Sequence, residues 1–347
     1  KKLLAIGNLK QPVHAWGEIY TGISAKDYMD GTSNFYGVHS VTLYVDSVQV
    51  FNSTTDKVLP DENRMINGFT DYEELTRTRR LIMRSYKLPG NRLRLLHTNE
   101  NRGAVTIDEE RDYHFRYVLE DNFGNRRTYQ FIVKGKRQDI PEYKPEANEM
   151  LYWNRTNVIQ KPGMELVVPR YYVYEDVPLR TDMRGDSSHI AFDYILDAGR
   201  TPIHSYCDLS IGLRHMPVTD TTKYYIVQKA GKWRSSMGGK YANGWIKTRV
   251  RSLGTFSVDV DTIAPQITPI GQGGWRTSRN IRFRIKDMES GIGSYKVYID
   301  GKFVLFGLKK GILVIQDPEK VKKGVPHKLE VTVTDQCGNM TRKEYKF

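Results

Sequence analysis

Short runs in which apolar and polar side chains alternate recur roughly every 8–14 residues, separated by Gly, Asn, Asp and Pro. Val41-Thr42-Leu43-Tyr44-Val45 and Lys328-Leu329-Glu330-Val331-Thr332-Val333 are clear cases. A period of two puts one face of a strand in a core and the other in water. Many such strands with turn punctuation predict an all-β chain of tandem immunoglobulin-like sandwiches. One helix stands out near residues 71–84: Asp71 is placed to cap it, Glu74 lies three residues on, and arginines gather toward its end.

The pattern repeats internally. Residues 36–46 (YGVHSVTLYVD) and 290–300 (SGIGSYKVYID) align at an offset of 254, and Lys26-Asp27 precedes the first block as Lys286-Asp287 precedes the second. Residues 114–125 (HFRYVLEDNFGN) and 327–339 (HKLEVTVTDQCGN) each read as a His, an alternating strand and Asp-x-x-Gly-Asn. That last element closes a hairpin, because Asp bonds nearby amides and Gly takes positive φ. The first and third domains are therefore expected to be copies of one module. The first carries about 40 extra residues between its paired blocks, an insertion near 60–100 that includes the helix. The polar, proline-bearing stretch 134–145 and the run 260–265 set expected domains of 1–137, 138–263 and 264–347. A glycine-rich hairpin is expected at 236–241 in the unmatched middle domain.

Composition narrows the function classes. There are 347 residues, 53 basic against 40 acidic, for a net charge of +13, which favours an anionic partner. The basic residues are spread along the chain with no nucleic-acid fold signature, so no nucleic acid is expected. No apolar run suits a transmembrane segment. The chain begins Lys1-Lys2-Leu3-Leu4 without Met or a signal-peptide pattern, which fits a processed chain or one cut from something longer.

The search for chemistry finds no complete centre. None of the eight histidines forms a His-x-His or i, i+4 His pair. His189 and Asp193 share a strand face, but two ligands do not hold zinc. Residues 27–34 (DYMDGTSN) offer oxygens suited to calcium, or a simple Asx-rich turn. Cys207 lies near His204 and His215 in sequence, and Cys337 is the other cysteine. Tyr171, Tyr172, Tyr174, Tyr224, Tyr225, Trp153, Trp233 and Trp245 are either sandwich core or a sugar-stacking surface. No catalytic residue, cofactor or metal ligand is assigned; no clustered set of three His, Cys or carboxylate ligands is expected, and hence no tightly bound transition metal.

The run Ala25–Gly31, residues 36–41 (YGVHSV) and the 71–74 helix start resemble the region C-terminal to the catalytic domain in lysostaphin-type zinc endopeptidases, peptidase family M twenty-three, of Bacteroides-like bacteria. The resemblance is clearest in residues 15–135 and 280–347. That family's His-x-x-x-Asp and His-x-His zinc motifs are not both present: His189–Asp193 has the first spacing, lies in the middle domain and lacks the usual Gly. The resemblance implies a periplasmic or cell-envelope, non-catalytic accessory region that positions a peptidase domain or binds peptidoglycan. The alternative is a free-standing secreted glycan- or protein-binding module. An enzyme with dispersed carboxylates is a third reading, which muropeptide release by the chain would favour.

Overall fold

The computed structural model describes residues 13–28, 31, 34–142 and 144–347, and they form an all-β chain. The first domain is built on a six-stranded sheet ordered Val13–Ala15, Arg126–Gly135, Asp112–Glu120, Ser40–Val45, Val48–Thr54 and Leu96–Thr98. Alternation does what the sequence requires of it. Along Ser40–Val45 every second residue is buried, placing Val41, Leu43 and Val45 in the core. Outside this sheet the described residues of the domain form short strand pairs, among them Gly17–Ile19 with Val105–Ile107 and Gly22–Ile23 with Met83–Arg84. Residues of the insertion complete the layer: Met65, Phe69, Met83, Leu88 and Leu93 join the same core as Phe51 and Phe115.

The third domain keeps the corresponding sheet and supplies a true partner sheet. Lys302–Phe303, Ile292–Ile299, Lys328–Asp335 and Met340–Lys346 follow the order of Val48–Thr54, Ser40–Val45, Asp112–Glu120 and Arg126–Gly135 in the first domain. They face a second four-stranded sheet of Gln266–Ile270, Arg282–Lys286, Ile312–Ile315 and Phe306–Lys309. Trp275 is fully buried between the layers, with Phe283 at 5.1 Å between ring centroids. The two copies thus share one sheet and differ in what covers it.

The copies also align differently from the histidine-anchored pairing. Phe115 pairs with Val45 and Leu329 with Ile299, so the equivalent of His114 is Lys328 and the equivalent of His327 is Tyr113. A one-residue slip in a strand exchanges faces. His114 is accordingly exposed and His327 buried. The Asp-x-x-Gly-Asn hairpins, in contrast, match: Asp121 and Asp335 each accept from the backbone and side chain of the Asn four residues on, and Gly124 and Gly338 have φ of 85° and 80°.

The predicted helix is shorter than its sequence signal. It spans Tyr72–Thr78, with the Asp71 side chain accepting from the Glu74 amide as expected. Arg79 then turns left-handed and ends it, and Met83–Arg84 is already strand, because pairing with Gly22–Ile23 outweighs helix propensity there. Glu74 serves Arg77 and Thr78 rather than completing a capping box.

The second domain is a sandwich of six strands, including Val177–Arg184, Asp193–Asp197, Gly254–Val260 and Tyr224–Ala230, on five, including Met164–Val168, Cys207–Gly212 and Trp245–Val250. One expectation fails here. Residues 236–241 are not a hairpin: Trp233–Ser236 pairs with Tyr224–Ala230 in one sheet, and Lys240–Ala242 pairs with Trp245–Val250 in the other. Gly238 and Gly239, at φ 65° and 149°, carry the chain between layers, where a Cβ on Gly239 would meet Ile246 at 2.5 Å.

Candidate functional site

The residues with the richest chemistry gather at the two domain junctions. At the first, Tyr174 of the second domain is buried within the core of the first. Its hydroxyl donates to the Arg64 carbonyl at 2.8 Å and lies 3.0 Å from His204 Nδ1, and its carbonyl accepts from the Gly90 amide at 2.7 Å. Gly68 and Gly90 are needed for this approach, since a Cβ at either would come within 3.0 Å of Tyr174. Burial, opposed by the charge of Arg64, pushes the Tyr174 hydroxyl well above its ordinary range. Burial, with the charges of Arg92 and Arg64, holds His204 below the usual imidazole range.

At the second junction Asp261, directly after the last strand of the second domain, meets the third. Its carboxylate accepts from the Ser290 amide at 3.0 Å and the Ser290 hydroxyl at 2.5 Å. Asn339 donates both to the Asp261 carbonyl at 3.0 Å and to Asp335 at 2.8 Å. Lys223 donates to the Cys337 carbonyl at 3.0 Å, and Cys337 packs with Tyr225 and Val227. Carboxylate oxygens of Asp261, Asp287 and Asp335 lie within 4.8 Å of one another. Burial, reinforced by the charges of Asp261 and Asp287, raises the Asp335 pKa. Sequence reading did not bring this trio together, because its members are spread over 75 positions and only the folded junction makes them neighbours. Three carboxylates suit a hard, oxygen-seeking cation such as calcium better than a transition metal, although calcium takes six to eight oxygens.

Of the residues singled out in the sequence, Tyr174 and His204 lie at the first junction and Tyr225 and Cys337 at the second, whereas His189, Asp193 and Cys207 serve structural partners elsewhere. His189 Nδ1 lies 3.0 Å from Asp186, whereas Asp193 accepts from Lys229 Nζ at 2.6 Å, so this pair does not converge. Burial pushes the Cys207 thiol up to about 12, far from nucleophilic thiolate at neutral pH, and His204 is engaged by Tyr174. Cys337 is pushed up to about 11 by burial, and both cysteines are free. Tyr174, Tyr224 and Tyr225 are core residues, whereas Trp233 is 81% exposed. Within the 27–34 loop, Asp27–Tyr28 pairs with Phe35–Tyr36; residues 29, 30, 32 and 33 lie outside the described residues.

Residues 148–261 match the family model of the Zu5-like domain. That segment contains both sheets of the second sandwich and ends on Asp261. No curated protein matches the chain. Among solved structures, it is similar to a Ca2+-stabilized adhesin that helps an Antarctic bacterium bind ice, at 10% identity over 96% of this chain and 94% of that one, TM-score 0.17. It is also similar to the Bacteroides ovatus mixed-linkage glucan utilization protein SGBP-B, solved with a heptasaccharide: 10% identity, 100% and 68% coverage, TM-score 0.16. For Drosophila N-cadherin EC1-4 the values are 11%, 97%, 72% and 0.18. Among the described residues no helix is long and apolar enough to cross a membrane.

Proposed function

We propose that the chain is a non-catalytic binding arm of an extracellular or cell-envelope protein, holding a ligand surface on three interlocked sandwiches. The observation that carries this reading is the construction of the junctions. Tyr174 is buried in the neighbouring domain's core, and Asp261 is bonded to Ser290 and Asn339 of the next. A flexible tether would need neither. Buried hydrogen-bonded contacts of this kind hold domains at a fixed angle, which suits reach and presentation. The groups with catalytic potential, His189, His204, Asp193 and Cys207, are each occupied or held in an unreactive state.

The ligand class that fits the +13 charge is an anionic cell-wall polymer. The residues resembling lysostaphin-type endopeptidase tails support a finer reading, in which the arm serves a peptidase that cuts peptidoglycan. Co-sedimentation of the purified chain with purified cell wall across a salt series tests both. Binding that weakens as salt rises is expected, because exposed charge is screened over about 8 Å at physiological ionic strength. Absence of binding at every salt concentration overturns the binding reading. Release of soluble muropeptides overturns the non-catalytic one.

A further inference from the structure

The outer face of the second domain's five-stranded sheet sets an aromatic ring beside a pair of cations. Along Trp245–Val250, Ile246 and Val250 are buried, so Trp245, Lys247 and Arg249 point outward. Pairing with Cys207–Gly212 places Trp245 opposite Gly212, Lys247 opposite Ser210 and Arg249 opposite Asp208. On the other side, the edge strand Lys240–Ala242 places Lys240 opposite Lys247 and Ala242 opposite Trp245. A Cβ added at Gly212 would meet the indole carbons Cδ2 and Cε2 of Trp245, both at 3.6 Å. The bond between those atoms is internal to the fused rings, so only a ring face can be approached in this way. The indole therefore lies flat over the glycine with its other face directed away from the sheet, and Trp245 stays partly exposed.

Like charges directly opposite each other, about 5 Å apart across two strands, disfavour a sheet. Lys240 and Lys247 form such a pair at an edge, and both are exposed. The carboxylates beside them stand on inner strands: Asp208 is opposite Arg249, and Glu165 accepts from Gln160 Nε2 at 3.0 Å. An oxyanion seated between the two ammonium groups converts their repulsion into attraction. Alternate residues of a strand are about 7 Å apart, so the Lys247 charge and the Trp245 ring are within reach of one small ligand. An indole face suits the apolar face of a sugar, and a flexible ammonium suits an oxyanion. Single-stranded nucleic acid would call for successive rings, whereas the in-register neighbours of Trp245 are Gly212 and Ala242.

From this geometry we propose that Trp245, Lys247 and Lys240 form a binding site for an acidic oligosaccharide, with one sugar stacked on the indole and a neighbouring carboxylate held between the two lysines. The proposal rests on the binding-arm reading and names the residues through which the arm holds its anionic polymer.

Calorimetric titration of the whole chain with tri-galacturonate tests it, with neutral chitotriose and oligo-thymidylate as comparison ligands. Saturable binding of tri-galacturonate is expected, with both comparison ligands weaker by about tenfold or more. Trp245→Ala should weaken binding by about tenfold, and Trp245→Tyr, which keeps a ring, by less. Lys240→Gln and Lys247→Gln should each weaken it by about threefold or more and flatten its salt dependence, a readout that a purely structural role would not move. Melting temperatures verify folding, and the two lysine variants, at exposed positions, test the site independently of Trp245. Lys309→Gln, in the third domain, should leave affinity unchanged. Undiminished affinity in the Lys240→Gln/Lys247→Gln double variant overturns the site, as does failure of the wild-type chain to bind tri-galacturonate. Equal affinity for chitotriose overturns the role of the lysines, and equal affinity for oligo-thymidylate overturns the saccharide assignment. Cell-wall binding retained in full by the double variant also overturns this site while leaving the binding arm standing, so the two readings fail separately.

Discussion

The first and third domains share a sheet, a hairpin and an aspartate-anchored turn, yet they solve the same structural problems with different residues. Asp46 and Asp300 occupy equivalent places. Each accepts one backbone amide, from His114 and Lys328 respectively, with its first oxygen. The second oxygen takes Arg111 at 2.7 Å in the first domain and the His327 imidazole at 2.6 Å in the third. Arg111 reaches in from solvent, whereas His327 is buried and its other nitrogen lies 2.7 Å from the Lys322 carbonyl. Two acceptors on one ring require both nitrogens to donate, so the third domain holds an imidazolium where the first holds a guanidinium. Equivalent backbone geometry therefore fixes the need for a cation but not which side chain meets it.

The same contrast holds at the hairpin tips. Phe123 of the first domain is 91% exposed, and its counterpart Cys337 is 3% exposed under Tyr225 and Val227 of the second domain. Asp121 is only partly buried and bonds within its own turn, while Asp335 is buried beside Asp261 and Asp287 at a domain junction. A copied module thus acquires new chemistry from what it is docked against.

The largest expected effect tests the shared sheet. Phe115→Ala and Leu329→Ala remove equivalent fully buried side chains, and each should cost about 2–5 kcal/mol. Hydrogen exchange in urea, read separately in Asp112–Glu120 and Lys328–Asp335, should show each loss in its own domain. A small effect at one position only would break the equivalence.

Next in size is the cation. His327→Ala removes a buried ring together with its bonds to Asp300 and the Lys322 carbonyl and should cost about 1–3 kcal/mol, whereas Arg111→Ala removes a solvent-exposed pair and should cost less. Burial opposes charge on His327, but Asp300 and the Lys322 carbonyl outweigh it and raise its pKa above 6.5. This contribution is complete below the unfolded value and is lost as pH rises through the raised one. Asp300 is lowered below 3.8, chiefly by the Lys328 amide and His327, so its contribution is lost as pH falls through the lowered value. Urea midpoints should therefore fall for the third domain on moving to alkaline pH, and His327→Ala should remove that fall.

The aspartates should respond to acid with opposite sign. Asp121 is lowered, first by the Asn125 side chain and also by backbone amides, so its contribution is present above 3.8 and lost on acidification. Asp335 is raised by burial and its neighbours' charges, so its favourable contribution is present below 3.8 and lost as pH climbs through the raised value. Midpoints for Asp121→Asn and Asp335→Asn at neutral and acidic pH should diverge in opposite directions from wild type; parallel behaviour would show that the junction does not alter the turn. Smallest of all, Phe123→Ser should change stability by no more than about 0.5 kcal/mol, as expected for a solvent-exposed position.

Much of this was legible in the residues. Alternation determined the strands, Asp-x-x-Gly-Asn determined the hairpins, and the spacing between blocks located the insertion, because each is a local consequence of side-chain periodicity or turn chemistry. The Asp71 cap was legible for the same reason, although the helix end was not, since strand pairing at Met83–Arg84 is decided by a distant partner. Matching the two histidines misled because His is scored by identity, while the fold scores position by which face is buried. The 236–241 segment reads as a hairpin locally and becomes a crossover because its two ends pair with different sheets. The aspartate trio and the Tyr174 contact were decided by tertiary structure alone. Each joins residues from two domains, and no local pattern specifies which surfaces two separately folded cores will bring together.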